Sequence, residues 1–382
     1  MTYLEYKIRA VPRGFQKLFY LNWPIILLLC ATCAIGIIML ISVAGNNWHP
    51  WASAQLNRFF VGFLLMISIA MIPIWFWKSM SVLAYIASLG LLVLVEFFGS
   101  TGMGAQRWLD LGFITLQPSE MAKITLIMVL AFYYDWLPDE LVSKPQWILA
   151  PLALIFLPFF LVLNQPDLGT SLLIVLGGGS MMFLAGVHWG YFVAGLSFSL
   201  GGLLAIFYSR GKDWQLLNNY QYRRIDTFLD PSSDPLGAGY HITQSKIALG
   251  SGGWTGRGFA QGTQSRLNFL PEKHTDFIFT TLAEEFGFVG GISLLTVYTL
   301  IVAFAIIAAI RNKDRFSSLL IYGVTVTFFL YFSVNMAMVM GLAPVVGVPL
   351  PLVSYGGSSM LVLMVAFGLL QSAHVHKPRG VL

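Results

Sequence analysis

The sequence predicts an all-α integral membrane protein that crosses the bilayer about ten times, with both termini cytoplasmic and one long extracytoplasmic loop. Three observations carry this. Apolar residues make up 57% of the 382 positions and Asp, Glu, Lys and Arg only 10%, against about 25% charged residues in soluble domains. The apolar residues fall into runs of a length that lets a helix cross the hydrocarbon core. The basic residues of the short connections gather on one side of those runs.

The first run, Trp23–Val43, is longer than the apolar core of a signal peptide. No small-residue cleavage site closes it, so it is expected to persist as a helix. It holds both cysteines, Cys30 and Cys33. Inside a lipid-embedded helix their spacing reads as packing, and it offers no disulfide framework. Further spans are expected at Phe59–Trp77, Val82–Phe98, Pro118–Tyr134, Trp147–Asn164, Leu168–Gly186 and Tyr191–Tyr208. The fourth span is the most polar, because it includes Lys123. A hydrophilic stretch, 209–285, separates these from Gly287–Ile310, Ser317–Gly341 and Leu352–Ser372. The chain therefore reads as a single polytopic membrane domain, 1–382, with 209–285 as a large outer loop within it.

Orientation follows from loop lysines and arginines. With the N-terminus inside, the cytoplasmic side carries Lys7, Arg9, Arg13, Lys17, Lys78, Lys144, Arg311, Lys313, Arg315, Lys377 and Arg379. The short outer loops hold only Arg58 and Arg107. The same asymmetry accounts for the net charge of +5 without any nucleic acid. In this topology the unusual stretches all face outward: GAQRW at 104–108, QPDLGT at 165–170, the long loop, and SYGGS at 354–358. No ATP is available there, and no phosphate-binding GxxxxGK[ST] loop is present. The glycines between Gly250 and Gly258 neither follow a strand nor match GxGxxG. Any reaction must then draw on energy already stored in the substrate.

Charge is densest around Lys273, His274, Asp276, Glu284 and Glu285, with Glu272 just before them. Asp276 stands where this hydrophilic stretch turns apolar. If the segment is helical, Glu284 lies about 12 Å further along the axis and is rotated by about 80°. Hydrolytic carboxylate pairs stand about 5 to 9.5 Å apart, so Asp276 is expected to act alone, as a general base or as a helix cap. Glu120 and Lys123 share a helix face and can pair. They read either as an internal ion pair or as the lining of a polar cavity that meets an anionic headgroup. Arg58, Arg107, Arg223, Arg224, Lys246 and Arg257 are outward cations. Converging arginines suit a diphosphate, and the Arg223–Arg224 pair beside Asp226 is the most suggestive; snorkelling to the interface is the plainer alternative. Asp167 is read mainly as the cap of the next helix. The prolines and glycines from Pro344 to Gly357 are expected to wall a pocket. No cofactor is required by the sequence. A divalent cation, Mg or Mn, could share the diphosphate role, although no ligand cluster with convincing spacing is visible.

Five stretches then carry a resemblance: GAQRWLDLG…QPSEMAKI (104–124), NQPDLGTSL (164–172), RRIDTFLDPSSDPLGAGYHITQSKIALGSGGWTGRGF (223–259), GTQSRLNFLPEKHTDFIFTTLAEEFG (262–287) and GLAPVVGVPLPLVSYGGSSM (341–360). In this order they closely resemble the SEDS family (shape, elongation, division and sporulation), and its elongation branch more than its division branch. The resemblance implies a glycosyltransferase that polymerises lipid II, the undecaprenyl-diphosphate-linked disaccharide-pentapeptide, into β-1,4 glycan strands during elongation and rod-shape maintenance. It also implies a site on the outer face of the cytoplasmic (inner) membrane. Expected partners are the growing glycan strand, a class B penicillin-binding protein with transpeptidase activity, and the elongation machinery. The Asp of HTDF, here Asp276, is the catalytic residue the family implies. An unperturbed Asp, at about 3.9, is a weak base, so partial burial is expected to raise it. A lipid II flippase and a non-enzymatic scaffold for a transpeptidase stand as the competing readings.

Overall fold

A computed structural model of the chain describes residues 12 and 14–377, apart from 103, 104, 111, 113, 114, 213, 218, 235, 236, 268 and 270–272. Lys7, Arg9, Arg13, Glu272 and Arg379 lie outside the described residues, as does the side chain of Arg224. The helices are α1 (Trp23–Val43), α2 (Trp51–Met71), α3 (Ile74–Phe98), α4 (Pro118–Trp136), α5 (Pro145–Asn164), α6 (Leu168–Leu184) and α7 (Trp189–Ser209). They continue with α8 (Asn219–Leu229), α9 (Ala238–Ser251), α10 (Ile278–Ile310), α11 (Arg315–Val339) and α12 (Ser358–Val375). Between α3 and α4 lies a small antiparallel sheet in the order β1 (Ser100–Gly102), β2 (Ala105–Asp110), β3 (Thr115–Leu116). Apolar periodicity did not announce these short strands.

Each expected span overlaps a helix. Among the described residues, α1, α2, α3, α5, α7, α10, α11 and α12 are long and apolar enough to cross a membrane. Helix α6 is apolar but has 17 residues. Helix α4 carries Glu120 and Lys123 and is buried along most of its length, because two charges at membrane depth need protein around them. Several boundaries differ from expectation, and α2 already begins at Trp51 instead of Phe59. The run Phe59–Trp77 is broken at Pro73, which forces Ile72 into an extended conformation (ψ 134°). So α2 ends and α3 begins several residues earlier than the hydropathy suggested. The last span starts at Ser358 instead of Leu352, because Leu352 is left-handed (φ 62°) and the chain stays irregular through Gly357.

Close helix contacts are made through small residues, as lipid-embedded packing favours. A Cβ on Gly62 of α2 would stand 2.9 Å from Met364 of α12, and one on Gly368 of α12 would stand 2.9 Å from Ile69 of α2. Helix α7 is the exception to this packing. Ser209, its last residue, is the one buried position along it.

Helix α10 is two helices. Gly287 (φ 65°, ψ −160°) breaks it, at the point where the sequence placed the start of the span. The preceding turns, 278–285, are buried. The broken ends are closed by the glycine-rich stretch 252–258. Arg257 N donates to Glu284 O (3.0 Å) and Gly258 N to Glu285 O (2.9 Å). In return Phe288 N donates to Gly253 O (2.9 Å) and Val289 N to Trp254 O (3.1 Å). A Cβ on Gly256 (φ 79°) would stand 2.1 Å from Glu285 O. These glycines therefore serve close backbone approach.

Candidate active site

The site is built where the Lys273–Phe277 turn meets the irregular segment between α11 and α12. Asp276 lies in that turn and is half-buried. The cap position of α10 belongs to Phe277, with no side-chain cap bond. Three successive carbonyls of the turn are each held by a different donor. Tyr355 N donates to His274 O (2.8 Å), Ser354 Oγ to Thr275 O (2.6 Å), and Asn335 Nδ2 to Asp276 O (2.8 Å). Asn335 Nδ2 also reaches Val348 O (2.7 Å), and Leu350 N donates back to Ser354 Oγ (2.8 Å). The backbone bearing Asp276 is thus fastened to α11 and to the proline-rich segment at once. Gly347 faces the carboxylate, and a Cβ there would stand 3.6 Å from Asp276 Oδ2. His274 stacks on Trp51 of α2, with ring centroids 4.6 Å apart. Burial holds the neighbouring Lys273 ammonium below its ordinary value.

One residue away, Ser354 lines a small cavity of about 30 Å³ together with Glu120, Lys123, Tyr331, Pro351 and Ser359. Lys123 Nζ donates to Glu120 Oε1 (2.7 Å). It also contacts Tyr331 Oη, which in turn donates to Glu120 Oε2. The expected ion pair is present, then, and it edges this small, mostly apolar cavity.

Asp167 caps α6, accepting from Thr170 N (3.1 Å) and Thr170 Oγ1 (2.9 Å). It further accepts from Gln117 (3.2 Å) and stands 3.7 Å from Arg107 Nη1. Arg107 also donates to Pro166 O (2.6 Å). Pro166 edges a second cavity of about 510 Å³ with mixed walls, between the C-terminal end of α5, the start of α6 and Leu216, Leu217 and Gln221.

The remaining cations are placed less centrally. Asp226, expected beside Arg223 and Arg224, is clasped instead by Arg210, through Nη1 (2.6 Å) and Nη2. Arg210 lies about four helical turns from Asp226 in sequence, and only the turn after α7 brings them together. Arg223 is exposed on α8, outside the linings of both cavities. Lys246 is exposed on α9, and its side chain runs over Gly341. Arg257 is exposed and bonds Thr263. Arg58 reaches the segment that holds the Asp276 turn: its guanidinium lies 4.6 Å over the Tyr355 ring.

Glu284 and Glu285 are structural. Glu284 Oε1 accepts from Thr263 N (2.8 Å), Thr263 Oγ1 (2.9 Å) and Gln264 N (3.1 Å). Glu285 Oε1 accepts from Ser42 of α1. Among the described residues no three His, Cys, Asp or Glu side chains converge to hold a metal ion.

Over residues 22–379 the chain matches the cell cycle protein family FtsW/RodA/SpoVE. It belongs to that family. FtsW/RodA/SpoVE relatives include the peptidoglycan glycosyltransferase MrdB of Escherichia coli K12, 41% identical over 367 residues and covering 96% of each chain. The rod shape determining protein RodA of Thermus thermophilus superposes with a TM-score of 0.71 at 27% identity, over 94% of this chain and 98% of that one. A chain of a peptidoglycan synthase complex that coordinates polymerization and crosslinking superposes with a TM-score of 0.79 at 30% identity, over 93% and 97% of the two chains. The branch indicated by the sequence agrees with the MrdB and RodA relatives.

Asn335, Tyr331 and Trp51 were not singled out in the sequence. A signal for two of them existed. Thr327, Tyr331 and Asn335 repeat at four-residue spacing, a polar stripe on one face of an otherwise apolar α11.

Proposed function

We propose that the chain is a peptidoglycan glycosyltransferase that extends β-1,4 glycan strands from lipid II, at a site on the outer face of the cytoplasmic membrane. The observation that carries this is the setting of Asp276: a single half-buried acid on a fastened turn, one residue from a lysine-lined cavity, with both nearby glutamates engaged elsewhere. Such a site suits transfer from an activated donor better than hydrolysis by a carboxylate pair. Asp276 accepts the proton of the acceptor sugar's 4-hydroxyl as that oxygen attacks the anomeric carbon of the donor. The new C–O bond forms as the bond to the diphosphate breaks, and the electron pair leaves on the diphosphate oxygen. Attack from the opposite face inverts an α-linked donor to a β product. Cationic groups stabilise the departing diphosphate, so no second carboxylate is needed.

Glu120 and Lys123 hold the floor of the cavity, and Arg107 with Asp167 fixes the entry of α6. The synthase-complex likeness supports a class B transpeptidase as partner, taking the new strands for crosslinking. Asp276→Asn in the purified protein is expected to lower lipid II polymerisation about 100-fold or more, the usual worth of a general base. Gel analysis of glycan products measures this in detergent, where no transport can be scored. Near-normal product from that variant would sink the base assignment.

A further inference from the structure

Three side chains in the first two turns of α2 reach the segment that holds the Asp276 turn. Trp51, Gln55 and Arg58 stand at i, i+4 and i+7, which places them on one face of the helix. Trp51 stacks on His274 with ring centroids 4.6 Å apart. The His274 ring lies 6.1 Å from that of Tyr355, and the Arg58 guanidinium lies over Tyr355 in turn. This series of ring contacts begins and ends on α2. Gln55, between its two ends, is fully buried. Its Nε2 donates to Ser354 O (2.9 Å) and, at longer range, to Leu352 O (3.4 Å). Exchanging the amide nitrogen and oxygen would set oxygen against two carbonyls, so the orientation is fixed. Gln55 Oε1 then has no partner among the described residues. A buried amide left half-satisfied costs stability, which an apolar side chain of the same length would avoid. The donor end is therefore what this position supplies, to carbonyls that no helix satisfies. Tyr298 Oη closes the carbonyl before them, donating to Pro351 O (2.7 Å).

From this we infer that Gln55 is a positioning residue for the reaction, and that with Trp51 and Arg58 it makes the first two turns of α2 a clamp on the Asp276 turn. The inference rests on the reading of Asp276 as the reacting acid. Gln55 acts through its neighbours. Its amide holds Ser354 O, Ser354 Oγ holds Thr275 O, and Thr275 is the residue before the acid. Asn335 of α11 holds the next carbonyl, that of Asp276. The turn is thereby fixed between two long helices, α2 and α11. Trp51 fixes the ring two residues before the acid, and Gln55 fixes the segment to which the turn is bonded. Helix α1 presses on the same stretch: a Cβ on Gly36 would stand 2.7 Å from both Leu352 O and Val353 Cα. The irregular segment thus leans on α1 and is tied to α2. Loss of the Gln55 amide removes the tie without opening a cavity, so Asp276 would shift while the helices kept their packing.

Hydrogen exchange and steady-state kinetics test this together, on the full chain in detergent with lipid II as substrate. Gln55→Met keeps the length of the side chain and removes the amide. It is expected to raise amide exchange in peptides covering 352–357 and 273–277, where Tyr355 N–H bonds His274 O, with the melting temperature unchanged. It should lower kcat about tenfold or more with KM within about twofold, the mark of a misplaced reacting group. A purely structural role would instead lower the melting temperature and leave kcat per folded molecule untouched. Should Gln55→Met fail to fold, the half-buried Trp51 carries the test. Trp51→Leu is then expected to repeat both effects, and Trp51→Phe, which keeps a stacking ring, to reverse them. Unchanged exchange overturns the clamp, and so does raised exchange with kcat unaltered. A rise in KM as large as the fall in kcat also overturns it, since that would mark direct contact with substrate. Asp276→Asn should lose polymerisation while keeping wild-type exchange. If that variant still polymerised while Gln55→Met lost both rate and protection, the base reading would fall and the clamp on the turn would stand.

Discussion

Asp276 is held by its backbone, which changes how its neighbours should behave on substitution. Ser354 donates to the carbonyl before Asp276 and never needs to touch substrate. Removing that bond frees the turn, and misplacement of a reacting group by about 1 Å can cost 100-fold in rate. Ser354→Ala is therefore expected to lower the polymerisation rate about 10- to 100-fold with KM little changed. In an Asp276→Asn background it should cost nothing further, since groups that act as one unit are not additive; full additivity of the two would place Ser354 outside the positioning frame. Glu120, Lys123 and Tyr331 form the other unit at this scale. Lys123→Met leaves Glu120 buried without its counter-charge, and breaking such a pair costs about 3–5 kcal/mol. Glu120→Gln combined with Lys123→Met should cost less than Lys123→Met alone, as read from unfolding in detergent. Sequence spacing sufficed to pair Glu120 with Lys123, because they are one helical turn apart. It could not supply Tyr331, which folding brings in from α11.

The broken α10 is the element whose design was least visible in the chain. Its apolar run begins at Gly287, so hydropathy marked the membrane segment correctly and missed the buried turns before it. Nothing in a glycine-rich loop says which broken helix it will close. Pairing of the 252–258 backbone with residues 284–289 is a long-range fact, set by tertiary contact and not by local propensity. The geometry still makes a sharp distinction among these glycines. Gly256→Ala would drive a methyl into Glu285 O at a left-handed position and should cost 2 kcal/mol or about that at least. Gly250→Ala, on α9 with no atom near its would-be Cβ, should be neutral or slightly stabilising, as helix propensity favours alanine. Thermal melts of the two variants side by side measure the contrast; equal effects would mean that the interlock is not what fixes α10.

At the scale of the whole molecule, the sequence revealed the order of the long apolar helices, because each must satisfy its backbone within lipid. The polar work is done by segments that break this rule, and there only boundaries and partners were lost: Pro73 moved α2 and α3, and Leu352 delayed α12. Orientation is open to a simple measurement. Both native cysteines sit in α1, with Cys33 buried. A cysteine placed at exposed Lys246 should react with a membrane-impermeant thiol reagent added outside whole cells, and one placed at Lys313 only after lysis. The reverse pattern would invert the topology and with it the proposed location of the site. Helix α7 bears on the molecule differently. It is anchored at its start, where Tyr191 and the His188 backbone bond Ser143, and at its end, where Ser209 meets Tyr222. Its 21 residues span about 31 Å, close to the hydrocarbon thickness of about 30 Å. With no buried residue before Ser209, its tilt is not set by packing against the other helices. In a thicker or thinner bilayer α7 is expected to lean by a different amount and to carry α8, tied to its C-terminal end, with it.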